Sequence, residues 1–387
     1  MDMTFCRAIL ERISGTTFTE CNGVKLLYRG RDSFEAIFQS VREAESFICL
    51  QFYIFRNDET GTELAEILKE KAKKGVMVYI LYDHFGSLGT PGRFWDELRT
   101  AGIKIRASRP FKWSSPFHYV RRDHRKLVIV DGVKAFTGGL NIANEYRGFH
   151  LRMRGAWRDT GVVLEGPIVF GLFETFRNTW ETWKGEAIPL PLRVPGSYVR
   201  SLQGGDLPVI PIFASSARGR RQMRKLLYYS IDTAHEGIHL TTAYFTPSKR
   251  MISSLEEAVK RGAEVNLLLP GKSDVPAAYY AGRKFFTRLL RAGVKIYSYQ
   301  GKMLHAKSYI FDGFWSIVGS ANLDFQSLRW NDEGNVGILD TGFGNTMVDV
   351  FKEDMRHSRE IKEDEWLKRP LSEKIKERFF ALFRRRL

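Results

Sequence analysis

The stretch His124-Arg-Lys126-Leu-Val-Ile-Val-Asp131-Gly-Val-Lys-Ala-Phe-Thr-Gly138-Gly139-Leu-Asn141 returns in the second half of the chain as His305-Ala-Lys307-Ser-Tyr-Ile-Phe-Asp312-Gly-Phe-Trp-Ser-Ile-Val-Gly319-Ser320-Ala-Asn322. Histidine, lysine, aspartate, glycine and asparagine recur at matching spacing, with Gly139 answered by the small Ser320. Residues two apart on a strand project from one face, and the β-rich runs Leu127–Val130 and Ser308–Phe311 support a strand beside each histidine–lysine pair. One copy carries half a site, and two facing copies carry a whole one.

Upstream of each motif the order of elements repeats as well. An apolar strand-like run at 47–53 leads to a helical stretch at 63–74, Gly75, and a second apolar run at 76–82; the second half repeats this at 238–244, 251–261, Gly262 and 263–269. Each half then has a helix closed by Ala-Gly, 94–99 before Gly102 and 285–291 before Gly293, followed by a β run at 103–105 or 294–296. Glycine suits the left-handed residue that ends a helix. The pattern predicts an α/β fold of two similar lobes related by a pseudo-two-fold, helices packed on a largely parallel sheet, with the active site at their interface. The lobes are expected at 1–184 and 207–366. A linker at 185–206 would join them, because Pro189, Pro191, Pro195, Gly196, Gly204 and Gly205 interrupt the periodicity there.

At 387 residues, 43% of them apolar, the chain can build two cores. A net charge of +16 attracts polyanions, which nucleic acid and an anionic lipid surface both satisfy. Cys6, Cys21 and Cys49 are odd in number and widely spaced, so neither a disulfide framework nor a zinc site is implied. The longest apolar-rich run, 47–55, is interrupted by Gln51 and too short to span a bilayer. The first 23 residues lack the apolar core of a signal peptide. The expectation is a peripheral protein on the cytoplasmic side of the cell membrane.

The motif residues suit phosphate chemistry. Imidazole can attack phosphorus or shuttle a proton, and Lys126 and Lys307 can place positive charge on the equatorial oxygens of the transition state. Asn141 and Asn322 can donate amide hydrogens to the same oxygens. Asp131 and Asp312 belong to the motif but stand at a strand end before glycine, so they read as turn residues outside the reaction centre.

Two copies of this pattern resemble the phospholipase D superfamily, over roughly residues 24 to 365. The segments Gly138-Gly-Leu-Asn-Ile142, Trp157-Arg-Asp159, Tyr244-Phe-Thr-Pro247, Pro270-Gly-Lys-Ser-Asp274, Leu304-His-Ala-Lys307 and Gly319-Ser-Ala-Asn-Leu-Asp324 are similar to the bacterial cardiolipin synthases in particular, in a form without N-terminal transmembrane helices. The resemblance implies a cofactor-free and metal-independent two-step transfer through a phosphohistidine. It assigns His124 as nucleophile and His305 as acid/base, with the reverse assignment left open. Each histidine also needs an orienting carboxylate, and Asp159 and Glu333, each just before a β run, match that place. The implied reaction joins two phosphatidylglycerols into cardiolipin and glycerol, with phosphatidylethanolamine or glycerol as further candidate substrates. The alternative is a hydrolase or a nuclease using water at the same site, although nucleic acid leaves the lipid-family segments unexplained. A third reading, a membrane-binding module without catalysis, conflicts with the intact motifs. One departure is Gln326, where relatives often carry arginine; a lost guanidinium is a lost anion partner.

Other features carry less. His84, His118, His150, His235, His239 and His357 read as structural. The aromatic helix at 168–183 reads as core. The segment 109–122 mixes aromatics with cations, as a headgroup-level surface does. At the C-terminus Leu371, Ile375, Phe379, Leu382 and Phe383 share one helical face, while Lys374, Lys376, Arg378, Arg384, Arg385 and Arg386 lie elsewhere. This basic amphipathic helix, expected over 367–387, would either lie in an anionic bilayer or dock on its own protein.

Overall fold

The computed structural model describes residues 3–111, 121–148, 156–188 and 206–384. The first half runs α1 Met3–Ser14, β1 Thr19–Leu27, α2 Gly30–Glu43, β2 Phe47–Phe52, α3 Glu59–Lys73, β3 Met77–Asp83, α4 Gly92–Thr100, β4 Lys104–Ser108, β5 Leu127–Val130, β6 Lys134–Gly138, α5 Asn144–Arg147, β7 Gly161–Glu165 and α6 Ile168–Thr182. The second runs β8 Leu207–Phe213, α7 Ala217–Thr233, β9 Gly237–Thr241, α8 Lys249–Lys260, β10 Glu264–Pro270, α9 Pro276–Arg283, α10 Phe286–Arg291, β11 Lys295–Tyr299, β12 Ser308–Phe311, β13 Trp315–Gly319, α11 Phe325–Arg329, β14 Gly334–Leu339, α12 Thr341–Arg356, β15 Ser358–Glu360, α13 Glu363–Leu367 and α14 Leu371–Leu382.

Local chemistry explains the main boundaries. Asp58, Ser216, Ser248 and Asp340 cap α3, α7, α8 and α12, each side chain accepting a backbone N–H of the first turn. Gly75, Gly102, Gly262 and Gly293, with φ of 86°, 89°, 96° and 91°, follow α3, α4, α8 and α10, as the pattern of glycines predicts. Every residue of β2, β5, β7, β12, β13 and β14 is buried, as befits strands covered on both faces.

The strands form one ladder in the order β15-β11-β10-β9-β12-β13-β14-β8-β1-β7-β6-β5-β2-β3-β4. Outward from the β8–β1 seam the two arms match position by position, β8-β14-β13-β12-β9-β10-β11 against β1-β7-β6-β5-β2-β3-β4, which is the pseudo-two-fold. The expected largely parallel sheet is corrected. Among the described strands only β2-β3-β4 and β9-β10-β11 pair in parallel; the other strand pairings are antiparallel, including the seam. The signal was present in Asp131-Gly132 and Asp312-Gly313, which take left-handed φ values of 53°, 68°, 50° and 67° and turn β5 into β6 and β12 into β13. An antiparallel pair needs only such a turn, whereas a parallel pair needs a long crossover.

Helix α6 buries Phe173, Phe176 and Trp180 completely, in a core that also takes Leu127, Val162, Ile310, Val318 and Phe351 from the two lobes. That shared core fixes how the lobes face. The chain does not divide cleanly at 184. Cys6 and Leu10 of α1, and Phe18 after it, pack with Met223, Leu227 and Trp315 of the second lobe. Most of the 185–206 linker, and most of the 109–122 segment, lie outside the described residues.

Arg158 of the first lobe makes a two-pronged ion pair with Asp354 of α12, at 2.8 and 2.7 Å. Both groups are largely buried, so removing one strands the other. Arg158→Ala should lower the unfolding free energy by about 3 kcal/mol, read from the denaturant midpoint; a change within about 0.5 kcal/mol would mean that the lobes do not depend on this pair.

Candidate active site

Each histidine is threaded onto the opposite lobe before its side chain does anything. Backbone N–H of His124 donates to Asp332 O at 2.8 Å, and that of Asp332 donates to Arg122 O at 2.8 Å. On the other side His305 N–H donates to Arg158 O at 2.7 Å, and Arg158 N–H to Met303 O at 2.8 Å. These short parallel bridges set the two motifs face to face across the seam.

The side chains then exchange partners. His124 Nδ1 lies 3.0 Å from Glu333 Oε2, and His305 Nδ1 lies 2.7 Å from Asp159 Oδ2. Each imidazole is oriented through Nδ1 by the carboxylate of the other lobe, and Nε2 is the nitrogen without a carboxylate partner. The two carboxylates are seated differently. Gly139 has no side chain because Asp159 occupies that space: a Cβ there would stand 2.1 Å from Asp159 Oδ1. At the equivalent place Ser320 donates its hydroxyl to Glu333 Oε2 at 2.5 Å. The shorter acid goes with the empty position and the longer acid with the hydroxyl.

Burial dominates the electrostatics. It lowers His124 and His305 below their ordinary value of 6.5, His305 to about 4 with the neighbouring Lys307 adding to the effect. Lys307 Nζ is 2.7 Å from His305 Nδ1 and also bonds the His305 carbonyl; Lys126 Nζ donates to His124 O at 2.5 Å. Burial brings Lys126 down to about 7 and Lys307 to about 8. Both imidazoles are therefore neutral at neutral pH, and both lysines are easily persuaded to lose or keep a proton.

Asn141 and Asn322 line the same cleft. Asn141 Oδ1 accepts the N–H of Ile54 and its Nδ2 donates to Tyr146 Oη; Asn322 Oδ1 accepts from Tyr244 N–H and Thr242 Oγ1. With each carbonyl oxygen engaged by the scaffold and one Asn141 N–H given to Tyr146, the remaining amide N–H groups are the part left for a ligand. The cleft, about 500 Å³, is lined from both lobes by His124, His305, Tyr53, Tyr146, Trp157 and Tyr244 among others. Tyr53 stands edge-on to His124 at 5.0 Å between ring centres, while Tyr146, Trp157 and Tyr244 surround His305 at 5.3, 5.8 and 6.3 Å. Gln326 lines the cleft too.

Asp131 and Asp312, which belong to the motif, do not line it. Asp131 accepts the backbone N–H groups of Glu45, Ser46 and Phe47, and Asp312 those of His235, Glu236 and Gly237. They are anchors that tie each hairpin to the start of the central strand.

Sequence reasoning overlooked the charges behind His124. Asp123 binds Arg125 through both oxygens at 2.8 and 2.9 Å, fully buried. Asp332 binds Arg109 of the first lobe and, at 3.2 Å, Arg220 of the second. The available signal was that Asp123 and Asp332 adjoin His124 and Glu333, so a strand would send them to the opposite face.

Comparison with known proteins agrees with this geometry. Residues 37–163 and 227–355 match the family model described as "Cardiolipin synthase, PLD-like domain". The chain belongs to the cardiolipin synthase family. Each matched segment holds one histidine motif, one asparagine and one orienting carboxylate, so the family segment is half of the site. Cardiolipin synthase 2 of Bacillus anthracis is 34% identical over 378 residues, 97% of this chain and 72% of that protein. Cardiolipin synthase A of Pseudomonas syringae pv. syringae is 36% identical over 342 residues, 88% of this chain and 70% of its own. A solved phosphatidylserine synthase from Haemophilus influenzae shares the fold over 99% of this chain and 100% of its own, with a TM-score of 0.76 at 15% identity.

Two substitutions separate anchor from site. Asp131→Ala leaves three N–H groups without their acceptor and puts alanine at positive φ, and should cost about 2–4 kcal/mol of stability with kcat of the folded protein unchanged. Gly139→Ala displaces the Asp159 carboxylate and should cut kcat about 100-fold. Thermal melts and turnover of a lipid phosphodiester read both; a Gly139→Ala protein with normal kcat would show that Asp159 need not sit against His305.

Proposed function

We propose that the chain condenses two phosphatidylglycerols into cardiolipin and glycerol through a covalent phosphohistidine. Phosphatidyl transfer follows from the family; the covalent route, the residue roles and the choice of lipids are the proposal. The observation that carries it is the exchanged pair of histidine–carboxylate dyads across one cleft. Two imidazoles, each with Nδ1 tied to a buried carboxylate, are what a double displacement at phosphorus needs, one as nucleophile and one as proton carrier.

In the first step Nε2 of His124 attacks phosphorus, the bond from phosphorus to the glycerol oxygen breaks, and that oxygen takes the proton of His305. In the second, His305 removes the hydroxyl proton of an incoming phosphatidylglycerol, whose oxygen attacks phosphorus and breaks the bond to His124. Lys126, Lys307, Asn141 and Asn322 hold the non-bridging oxygens. His124 is neutral at rest, as a nucleophile must be. His305 becomes an acid only when the phosphodiester anion enters and offsets the charge of Lys307. The aromatic wall around His305 favours a lipid alcohol over water in the second step. Phosphatidylethanolamine as donor and glycerol as acceptor fit the same sequence of steps.

We place the enzyme peripherally on the cytoplasmic face of the membrane. Among the described residues no helix is long and apolar enough to cross a bilayer, and a net charge of +16 favours anionic lipid.

Incubation with phosphatidylglycerol vesicles should yield cardiolipin and glycerol, and His124→Ala and His305→Ala should each abolish them; phosphatidic acid alone would instead mean a hydrolase. With a phosphatidyl ester of p-nitrophenol, a leaving group that needs no acid, His305→Ala should accumulate a phosphatidyl adduct on His124, located by peptide mass spectrometry. An adduct on His305 in the His124→Ala protein would reverse the roles.

The pH profile follows from the same burial. His124 must be unprotonated, and its pKa lies below 6.5, so kcat/KM should fall only below that pH. His305, the acid of the first step, is neutral at rest and must take up a proton with the substrate, which begins the alkaline limb. Lys126 and Lys307, brought to about 7 and about 8, should steepen it as they lose charge above those values. An acid limb at or above pH 7 would contradict a buried neutral His124.

A further inference from the structure

Helix α14 is held to the protein by its polar side. Glu377 is 2% exposed and Ala381 6%, and these are the positions that face inward. Glu377 accepts from Arg283 at 3.1 Å and from Arg369 at 2.7 Å, while both guanidiniums lie over the Trp366 ring at 5.0 and 3.9 Å. Phe380 stacks on Tyr280 of α9 with ring centres 5.9 Å apart. The opposite side carries Leu371, Ile375, Phe379 and Leu382, which are 70%, 58%, 54% and 75% exposed, with Phe383 continuing it. A helix packed for its own stability turns such a stripe inward. Here a buried ion cluster pins it facing out.

We infer that this outward ridge is the surface by which the protein lies on an anionic bilayer, α14 entering the interface in plane with its apolar stripe toward the acyl chains. Charge complementarity selects the occupant. Lys374 and Arg378 flank the stripe on one side and Lys376 on the other, the arrangement by which an interfacial helix meets acyl chains with its centre and lipid phosphates with its edges. The position also suits a lipid enzyme. Helix α9, which holds α14 through Tyr280 and Arg283, lines the catalytic cleft through Ala278, with Val275 just before it. The bilayer contact and the cleft are thus separated by a pair of helices, roughly 20 Å. The inference shares with the proposed function only the idea of a bilayer substrate, and its test reads binding rather than turnover.

The test uses the full chain carrying His124→Ala, so that vesicle composition stays fixed, in flotation with phosphatidylcholine vesicles with and without phosphatidylglycerol. Phe379→Glu combined with Leu382→Glu should weaken partitioning into both about 100-fold, some tenfold for each apolar side chain. Arg378→Glu should weaken it roughly fivefold or more on phosphatidylglycerol vesicles alone. In otherwise wild-type protein the double substitution should leave turnover of monomeric short-chain phosphatidylglycerol unchanged and the thermal midpoint within error. Unaltered flotation of the double variant would overturn the inference. So would a wild-type dimer that the substitutions split while vesicle binding persists, since the ridge would then be a contact between two copies of this chain.

Discussion

The structure hangs on an exchange: the carboxylate that orients each motif imidazole belongs to the other lobe. His124 cannot be oriented without Glu333, nor His305 without Asp159. The pseudo-two-fold of the sheet, the shared core around α6 and the two backbone bridges beside the histidines all serve to hold those two contacts at hydrogen-bonding distance. Neither lobe contains such a dyad of its own, so the two dyads form only when both lobes are packed.

Burying so many ionisable groups is costly, and the way each is compensated explains the local sequence. Charges left without partners would shift or neutralise. Desolvation outweighs the carboxylates beside the two imidazoles, which rest neutral. Others are paired: Asp123 with Arg125, Asp332 with Arg109 and Arg220, and Arg158 with Asp354. Asp332 and Arg158 directly precede Glu333 and Asp159 in the chain, so the residue that orients a histidine and a residue that ties the lobes together are neighbours. The lysines are lowered by burial, so an anionic phosphodiester beside them would favour their charged form.

The same logic separates the conserved-looking parts of the motif by job. Histidine and asparagine line the cleft and the lysines sit behind the histidines, each bonded to its histidine's carbonyl, whereas Asp131 and Asp312 bind the backbone that starts β2 and β9. Their left-handed φ and the glycine after each make them hairpin corners first. At the far edge of the second lobe, α14 shows the converse arrangement, with a polar cluster buried and an apolar ridge in the open.

By itself the sequence determined that there are two equivalent halves, that each carries one histidine–lysine motif, and where most strands and helices run, because those depend on short-range period and on spacing along the chain. Leu127–Val130 and Ser308–Phe311 were legible as strands, and Asp159 and Glu333 as orienting carboxylates. Which carboxylate meets which histidine, the antiparallel seam, the packing of α1 on the second lobe and the face by which α14 docks were decided only by the tertiary structure. Each of these pairs groups more than a hundred residues apart, or sets a buried polar cluster against an apolar stripe, and local periodicity holds no information on which surface will cover another.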